Sequence, residues 1–201
     1  MLSASSSIIQ NIDAMNKNGL ASLAIFYCDF REGRMRDLRG LVSSLLVQFC
    51  HQSDSYCDIL SNFYLEHSKG LKHPGDDAIV ECLKKILRLP GQAPGYVVLD
   101  ALDECQTSSS REKVLKLVEE LIDSRIPNLR ICITSRPETD IKAVLGSLAF
   151  RSISLHDEIG QMEDIDNYIK SFVDTDAMMQ RWEPADKKLV IEVLRNKADG
   201  M

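Results

Sequence analysis

One short stretch near the middle of the chain limits what it can fold into. The apolar run 96–99 follows a turn at Gly95 and ends on three carboxylates, Asp100, Asp103 and Glu104. Such a run is typical of a parallel strand that is buried on both faces. Ligands bind at the carboxyl ends of strands in an open parallel sheet, so these acids are candidate site residues. The competing interpretation is a buried strand that leads into a polar loop and an Asp-rich helix cap.

The rest of the chain alternates strand and helix patterns, which predicts an α/β fold with a largely parallel sheet and helices on both faces. Besides the central strand at 95–100, we expect strands at 23–30, 129–134 and 150–155. The apolar spacing predicts helices at 5–17, 37–51, 55–68, 111–124, 138–145, 161–174 and 184–198, and a further helix, capped by Asp76 or Asp77, that continues to Leu87. Gly146 is expected to end the helix at 138–145.

Three polar residues follow strand patterns at the point where each strand ends. They are Asp29, Asp100 and Arg136. Right-handed crossovers bring the carboxyl ends of parallel strands to one edge of a sheet, so the three residues are expected near each other. There Asp100 could hold Mg²⁺ directly or through water. A second acid could orient or deprotonate an attacking water.

The phosphate-binding part of a nucleotide site is missing from the sequence. The usual P-loop, or Walker A loop, places a Gly-Lys pair against the nucleotide phosphates. None of the ten glycines is followed by lysine.

Composition excludes several other function classes. A net charge of −6 gives no general attraction to nucleic acid or to anionic membranes. No apolar run approaches the roughly 20 residues that span a bilayer, and the N-terminus lacks the pattern of a secretory signal. The six cysteines form no C-x-x-C pair and are interpreted as reduced core residues. We therefore expect a cytoplasmic protein without nucleic-acid or membrane partners.

Three segments resemble the NACHT-type P-loop NTPases of the STAND class, in particular fungal NLR-like proteins and the nephrocystin-3-like N-terminal domain. The segment around VVLDALDEC (residues 97–105) resembles their Walker B strand. The segment LRICITSRPE (residues 129–138) resembles their sensor 1 strand, and LAIFYCDF (residues 23–30) their second strand.

The resemblance implies a three-layer P-loop NTPase-like sheet whose first strand and Walker A loop would precede Met1. It also implies that the chain ends before the regions that follow the NTPase core in this family, so the domain is expected to be truncated at both ends. Residues 1–156 would form the partial NTPase core, and residues 157–201 would begin the helical region that follows it. The expected cofactors are Mg²⁺ and ATP.

The same resemblance assigns roles to four residues. Asp100 would be the metal ligand, Asp103 and Glu104 the catalytic acids, and Arg136 the sensor of the γ-phosphate. The alternative for Arg136 is a solvated loop position or an ion pair with Asp100 or Asp103.

Three functions follow as hypotheses. The first is part of a signal-transduction NTPase in which ATP binding and hydrolysis are impaired, so enzyme activity is left open. The second is a non-catalytic fragment that associates with itself or with NACHT-type relatives. The third is a metal-dependent phosphatase or nuclease that uses Asp29 with Asp100, Asp103 and Glu104.

Overall fold

Three parallel strands form the sheet around which the first part of the chain is built. The computed structural model describes residues 4–28, 37–105, 108–154 and 159–198. Within them the strands are β1 (Ser22–Tyr27), β2 (Gly95–Asp100) and β3 (Leu129–Ile133), in the order β1-β2-β3. Tyr27 pairs with Asp100, and Leu99 pairs with Ile133. All three strands therefore end at the same edge of the sheet.

The described residues contain eight α-helices. They are α1 (Ala4–Lys17), α2 (Leu38–Cys50), α3 (Asp54–Glu66), α4 (Asp76–Leu87), α5 (Ser108–Asp123), α6 (Thr139–Leu148), α7 (Ile159–Thr175) and α8 (Pro184–Ala198). The chain divides into two compact units, Met1–Ala149 and Phe150–Met201. The boundary expected between residues 156 and 157 lies outside the described residues and stays a prediction.

Helices pack on both faces of the sheet, as the sequence predicts for an α/β fold. On one face Val97 and Leu99 join a large core that includes Phe49 of α2 and Leu83 of α4. On the other face Val98 contacts a smaller cluster built around Ile12 of α1. Burial of β2 on both faces explains why its sequence is continuously apolar rather than alternating.

The outer edge of β1 is covered by two glutamine side chains, one from α2 and one from the turn that follows it. Gln48 accepts a hydrogen bond from the Ile25 N–H and donates one to the Ile25 carbonyl, both at 2.8 Å. Gln52, one turn later, does the same for Leu23, at 2.8 and 2.6 Å. The two amides replace a neighbouring strand, because each satisfies one N–H and one C=O of the edge.

Three details differ from the sequence-based predictions. Residues 150–154 form no strand, and Phe150 and Ile153 are exposed. This segment has the imperfect apolar alternation of a strand, but no neighbouring strand among the described residues completes its backbone hydrogen bonds. Helix α6 continues through Gly146 to Leu148, because Gly146 does not adopt the left-handed conformation that ends a helix. Gly75, rather than Asp76 or Asp77, is the N-cap of α4.

The second unit is built from α7 and α8, joined through a one-turn 3-10 helix at Met179–Arg181. The buried Asp166 of α7 binds Lys170 at 2.7 Å and Arg195 of α8 at 3.6 Å. The hydrogen bond from Lys170 lowers the pKa of Asp166. No helix in the described part of the chain has the length and apolarity to cross a membrane.

Candidate functional site

The chain turns sharply at the end of β2, and this turn positions the acids. Ala101, directly after Asp100, has φ 56° and ψ 50°. This left-handed conformation costs an alanine about 1–2 kcal/mol, so the surroundings must hold it in place. A one-turn 3-10 helix, Leu102–Glu104, follows, and the fully buried Leu102 anchors it in the core. We call residues 100–105 the acid loop.

Thr134, the residue after β3, ties the acid loop to the sheet through its backbone and its hydroxyl. Its N–H donates to Leu99 O and its carbonyl accepts from Leu102 N, both at 3.0 Å. Its hydroxyl accepts from Ala101 N at 3.0 Å and donates to the Asp100 carboxylate. Thr134 therefore fixes both the strained turn and the orientation of Asp100.

Arg136, two residues after Thr134, contacts Asp103 of the acid loop. The Arg136 backbone N–H donates to Asp103 Oδ1 at 3.0 Å, and its guanidinium Nε lies 3.5 Å from Oδ2. The Asp103 side chain is 10% exposed, whereas that of Arg136 is 81% exposed. The ion pair that the sequence left open as an alternative for Arg136 is thus present, and its partner is Asp103.

Arg111 supports the acid loop from the first turn of α5. Its Nη2 donates to the Asp103 carbonyl at 2.5 Å, and its Nη1 lies 3.1 Å from the Asp140 carboxylate of α6. The hydrogen bond from Arg111 lowers the pKa of Asp140. The Arg111 Nε is buried and has no hydrogen-bond partner in the described part of the chain.

The structure therefore brings Asp100 and Asp103 together with Arg136 at one edge of the sheet. Glu104 is half-buried beside them, and no hydrogen bond or ion pair to its side chain is present among the described residues. Asp29 lies outside the described residues. The sequence analysis missed Thr134 and Arg111 as supporting residues. A signal for Arg111 was its positive charge at the N-terminal end of a helix, where the helix dipole disfavours a cation.

Two thiols lie next to the acid loop. Cys28 follows β1, and its N–H donates to the Asp100 carbonyl at 2.9 Å. Hydrogen bonding to Cys105, the last residue of the acid loop, together with burial, raises the pKa of Cys28 far above the usual range, and hydrogen bonding to Cys28 lowers the pKa of Cys105.

The side chains at this edge of the sheet could supply only one protein ligand to a Mg²⁺ ion. No group of three or more His, Cys, Asp or Glu side chains in the described ranges is arranged to hold a metal ion. Asp103 faces Arg136, and one Asp100 oxygen is bound to Thr134. A cation here would take Asp100 as its single protein ligand, with water and phosphate oxygens completing its shell, as is usual for Mg²⁺ bound with nucleotide.

Residues 3–136 match the model of the family described as nephrocystin 3, N-terminal. The chain belongs to the nephrocystin 3 N-terminal family. The match covers all three strands of this nephrocystin 3 N-terminal domain and ends at Arg136, so the acid loop and the arginine lie within it. No curated protein and no solved structure matches the chain.

Proposed function

We propose that this chain carries the Walker B and sensor 1 elements of a NACHT-type nucleotide-binding core of the STAND class, whose role is signal transduction. The observation that carries the proposal is the contact between Asp103 and Arg136 at the carboxyl edge of a parallel sheet. It joins two segments that are distant in sequence and that the family resemblance independently pairs. A buried strand that merely ran into a helix cap would not need this partner.

In this proposal each residue has a role that its surroundings support. Asp100, oriented by Thr134, would hold Mg²⁺ through water, and the ion would offset phosphate charge. Asp103 and Glu104 would orient or deprotonate an attacking water. Arg136 would bind the γ-phosphate of ATP.

The exposure of Arg136 makes a switch between two partners feasible. An ion pair with one largely solvated member contributes only about 0–1 kcal/mol. A γ-phosphate could therefore draw the guanidinium away from Asp103 at little cost. ATP and ADP would then stabilise different states of the acid loop, because only ATP offers this contact.

We expect ATP binding by the 201-residue chain to be weak. The backbone cradle and lysine of a P-loop supply much of the phosphate binding, and the sequence contains no Gly-Lys pair. Isothermal titration of the chain with Mg-ATP tests this, and submicromolar binding would overturn the expectation.

The site itself needs a measurement that detects weak binding. We propose saturation-transfer NMR with millimolar Mg-ATP on three proteins: the wild type, Arg136→Ala and the control Arg130→Ala. Arg130 is an exposed arginine on β3 whose side chain donates to the carbonyl of the neighbouring Leu129. A signal that Arg136→Ala reduces and Arg130→Ala preserves supports the proposal. An equal signal in all three proteins contradicts a role for Arg136.

A second candidate function is favoured by the edge of β3. Among the described residues β3 pairs with β2 alone. The N–H and C=O of Thr134 both point towards β2 and the acid loop. The direction of these groups alternates from one residue to the next along a strand, so the N–H and C=O groups of Ile131 and Ile133 point to the opposite side. The outer edge of β1, by contrast, is covered by Gln48 and Gln52.

We therefore propose, as the alternative, a non-catalytic role in which the chain associates with itself or with NACHT-type relatives through this edge. Size-exclusion chromatography with light scattering over a range of concentrations tests self-association. A mass that rises with concentration supports this role. A monomer at every concentration, together with no retention by an immobilised NACHT-type relative, would exclude it.

A further inference from the structure

Arg111 joins three elements that meet beside the carboxyl edge of the sheet. It belongs to the first turn of α5, and its guanidinium binds two partners outside that helix. Nη2 donates to the backbone carbonyl of Asp103 in the acid loop at 2.5 Å, and Nη1 lies 3.1 and 3.3 Å from the two carboxylate oxygens of Asp140 in α6. The Arg111 side chain is 17% exposed, whereas that of Asp140 is 48% exposed. The arginine thus connects the acid loop to α6 from a largely buried position.

Asp103 connects this arginine to Arg136. Its carboxylate contacts Arg136 through the backbone N–H at 3.0 Å and the guanidinium at 3.5 Å, and its carbonyl accepts from Arg111. Asp140 lies four residues after Arg136, in the first turn of α6. The contacts therefore form a closed ring, which runs from Arg136 through Asp103, Arg111 and Asp140 and returns along the backbone. Because every link is a direct contact or the chain itself, a displacement of the acid loop acts on α6.

The two arginines hold Asp103 with different firmness. The guanidinium of Arg136 is 81% exposed, so water or a ligand can replace its contact with the carboxylate. The hydrogen bond from Arg111 is charge-assisted, which makes it stronger than a neutral one, and it is largely shielded from water. The Arg111 contact should therefore persist when Arg136 is drawn away from Asp103.

The position of Arg111 is unfavourable for α5 itself. A cation in the first turn of a helix opposes the helix dipole. The Nε atom is also buried and has no hydrogen-bond partner among the described residues, which costs further free energy. The contacts that offset these costs are with Asp103 and Asp140, and both lie outside α5. Stabilisation of α5 therefore does not account for an arginine at this position, whereas a link between the acid loop and α6 does.

We propose that Arg111 is a positioning residue that couples the acid loop to α6. It holds the backbone of Asp103 so that the carboxylate faces Arg136, and its contact with Asp140 transmits a change in the acid loop to α6. The inference rests on the proposed function for the signal: a γ-phosphate that draws Arg136 away from Asp103 would act on α6 through Arg111. Coupling of this kind is reciprocal, so a change at Asp140 must also affect the acid loop.

The reciprocal effect can be tested on the full chain without nucleotide. The N–H groups of Glu104 and Cys105 donate to carbonyls of the acid loop at 2.9 and 3.2 Å, and NMR measures the exchange of these amide protons with water. Asp140→Asn removes the ion pair but changes no atom of the acid loop, and it should speed this exchange about two- to fivefold. Arg111→Lys should also speed it, because an ammonium is a single point of charge and cannot hold Asp103 and Asp140 together.

Three controls separate coupling from a general loss of stability. Asp140→Glu keeps the carboxylate and should leave the exchange slow. Glu138→Gln removes a negative charge from the N-terminus of the same helix, but Glu138 is exposed and its side chain makes no capping hydrogen bond, so the exchange should not change. Lys84→Met breaks ion pairs whose partners lie outside the acid loop, and it should not change the exchange either. Equal acceleration by Asp140→Asn and any of these controls would overturn the proposal, and so would no acceleration by Asp140→Asn.

Millimolar Mg-ATP distinguishes this inference from the proposed function. In the wild type it should change the exchange of the Lys142 N–H, which donates to Glu138 O in the first turn of α6, and Arg111→Lys should abolish that change. If α6 does not respond to Mg-ATP although Asp140→Asn speeds exchange in the acid loop, the proposed function is contradicted and the coupling stands. A response of α6 that Arg111→Lys preserves would overturn the coupling.

Discussion

The guanidinium of Arg136 lies 3.5 Å from the carboxylate of Asp103, and the Arg136 backbone N–H donates to the same carboxylate at 3.0 Å. The two contacts differ in exposure and so in strength. The backbone contact does not depend on the arginine side chain, whereas the guanidinium is 81% exposed. The arginine side chain is therefore held loosely at the site, although the loop that carries it is fixed.

This arrangement predicts that Arg136→Ala has little effect on stability. The substitution keeps the backbone hydrogen bond to Asp103 and removes a solvated ion pair, so the free energy of unfolding should fall by less than about 1 kcal/mol. Urea denaturation of the wild type and the variant measures the difference. A loss well above this value would mean that the guanidinium has a structural role.

Thr134→Val should be more costly, although it changes the side-chain shape very little. It removes the hydroxyl that serves both the Asp100 carboxylate and the Ala101 N–H. Leaving partly buried polar groups unsatisfied should lower the free energy of unfolding by about 1–3 kcal/mol. Thr175→Val is the matched control, because that hydroxyl donates to Ser171 O at an exposed position of α7. Equal effects of the two substitutions would contradict the supporting role of Thr134.

Gln48→Leu should both destabilise the protein and promote association. The leucine fills similar space but leaves the N–H and C=O of Ile25 without their partner, at a cost of about 1–3 kcal/mol. It also uncovers part of an edge strand, which can then pair with another chain. Denaturation and light scattering report the two effects. Gln180→Leu, at an exposed position of the second unit, should change neither.

Lys84 provides a prediction about pH. Burial lowers the pKa of this lysine, but hydrogen bonds to Glu81 and Glu120 outweigh burial, and the net pKa is raised above its ordinary value of 10.5. The hydrogen bond from Lys84 lowers the pKa of Glu81 below its ordinary value of 4.5. Because the lysine pKa is raised on folding, its contribution to stability is fully present below pH 10.5 and is lost as pH rises through the folded-state pKa. Because the glutamate pKa is lowered on folding, its contribution to stability is present above pH 4.5 and is lost as pH falls through the folded-state pKa.

The difference in free energy of unfolding between the wild type and Lys84→Met should therefore be largest in the range between these two values. It should decrease towards both extremes of pH. Chemical denaturation at a series of pH values measures it. Lys85→Met serves as the control, because the neighbouring lysine is exposed on α4. A pH-independent difference for Lys84→Met would show that the ion pairs are not coupled to folding.

The sequence predicted local features where one pattern dominated. The strand at 95–100, its burial on both faces and the amphipathic helices around it agree with the structure, because period and hydrophobicity are local properties. The strand expected at 150–155 is wrong over the described residues 150–154, since a strand also needs a neighbour to complete its hydrogen bonds. The extension of α6 through Gly146 shows that a glycine alone does not end a helix.

The sequence by itself determined that the chain has an α/β fold, that acids follow the central strand and that an arginine follows another strand. Only the tertiary structure decided which groups meet: Asp103 with Arg136, and Asp100 with Thr134. The physical reason is that strand order and register set these contacts across long stretches of chain. A pattern read along the sequence cannot specify which distant side chains lie within hydrogen-bonding distance.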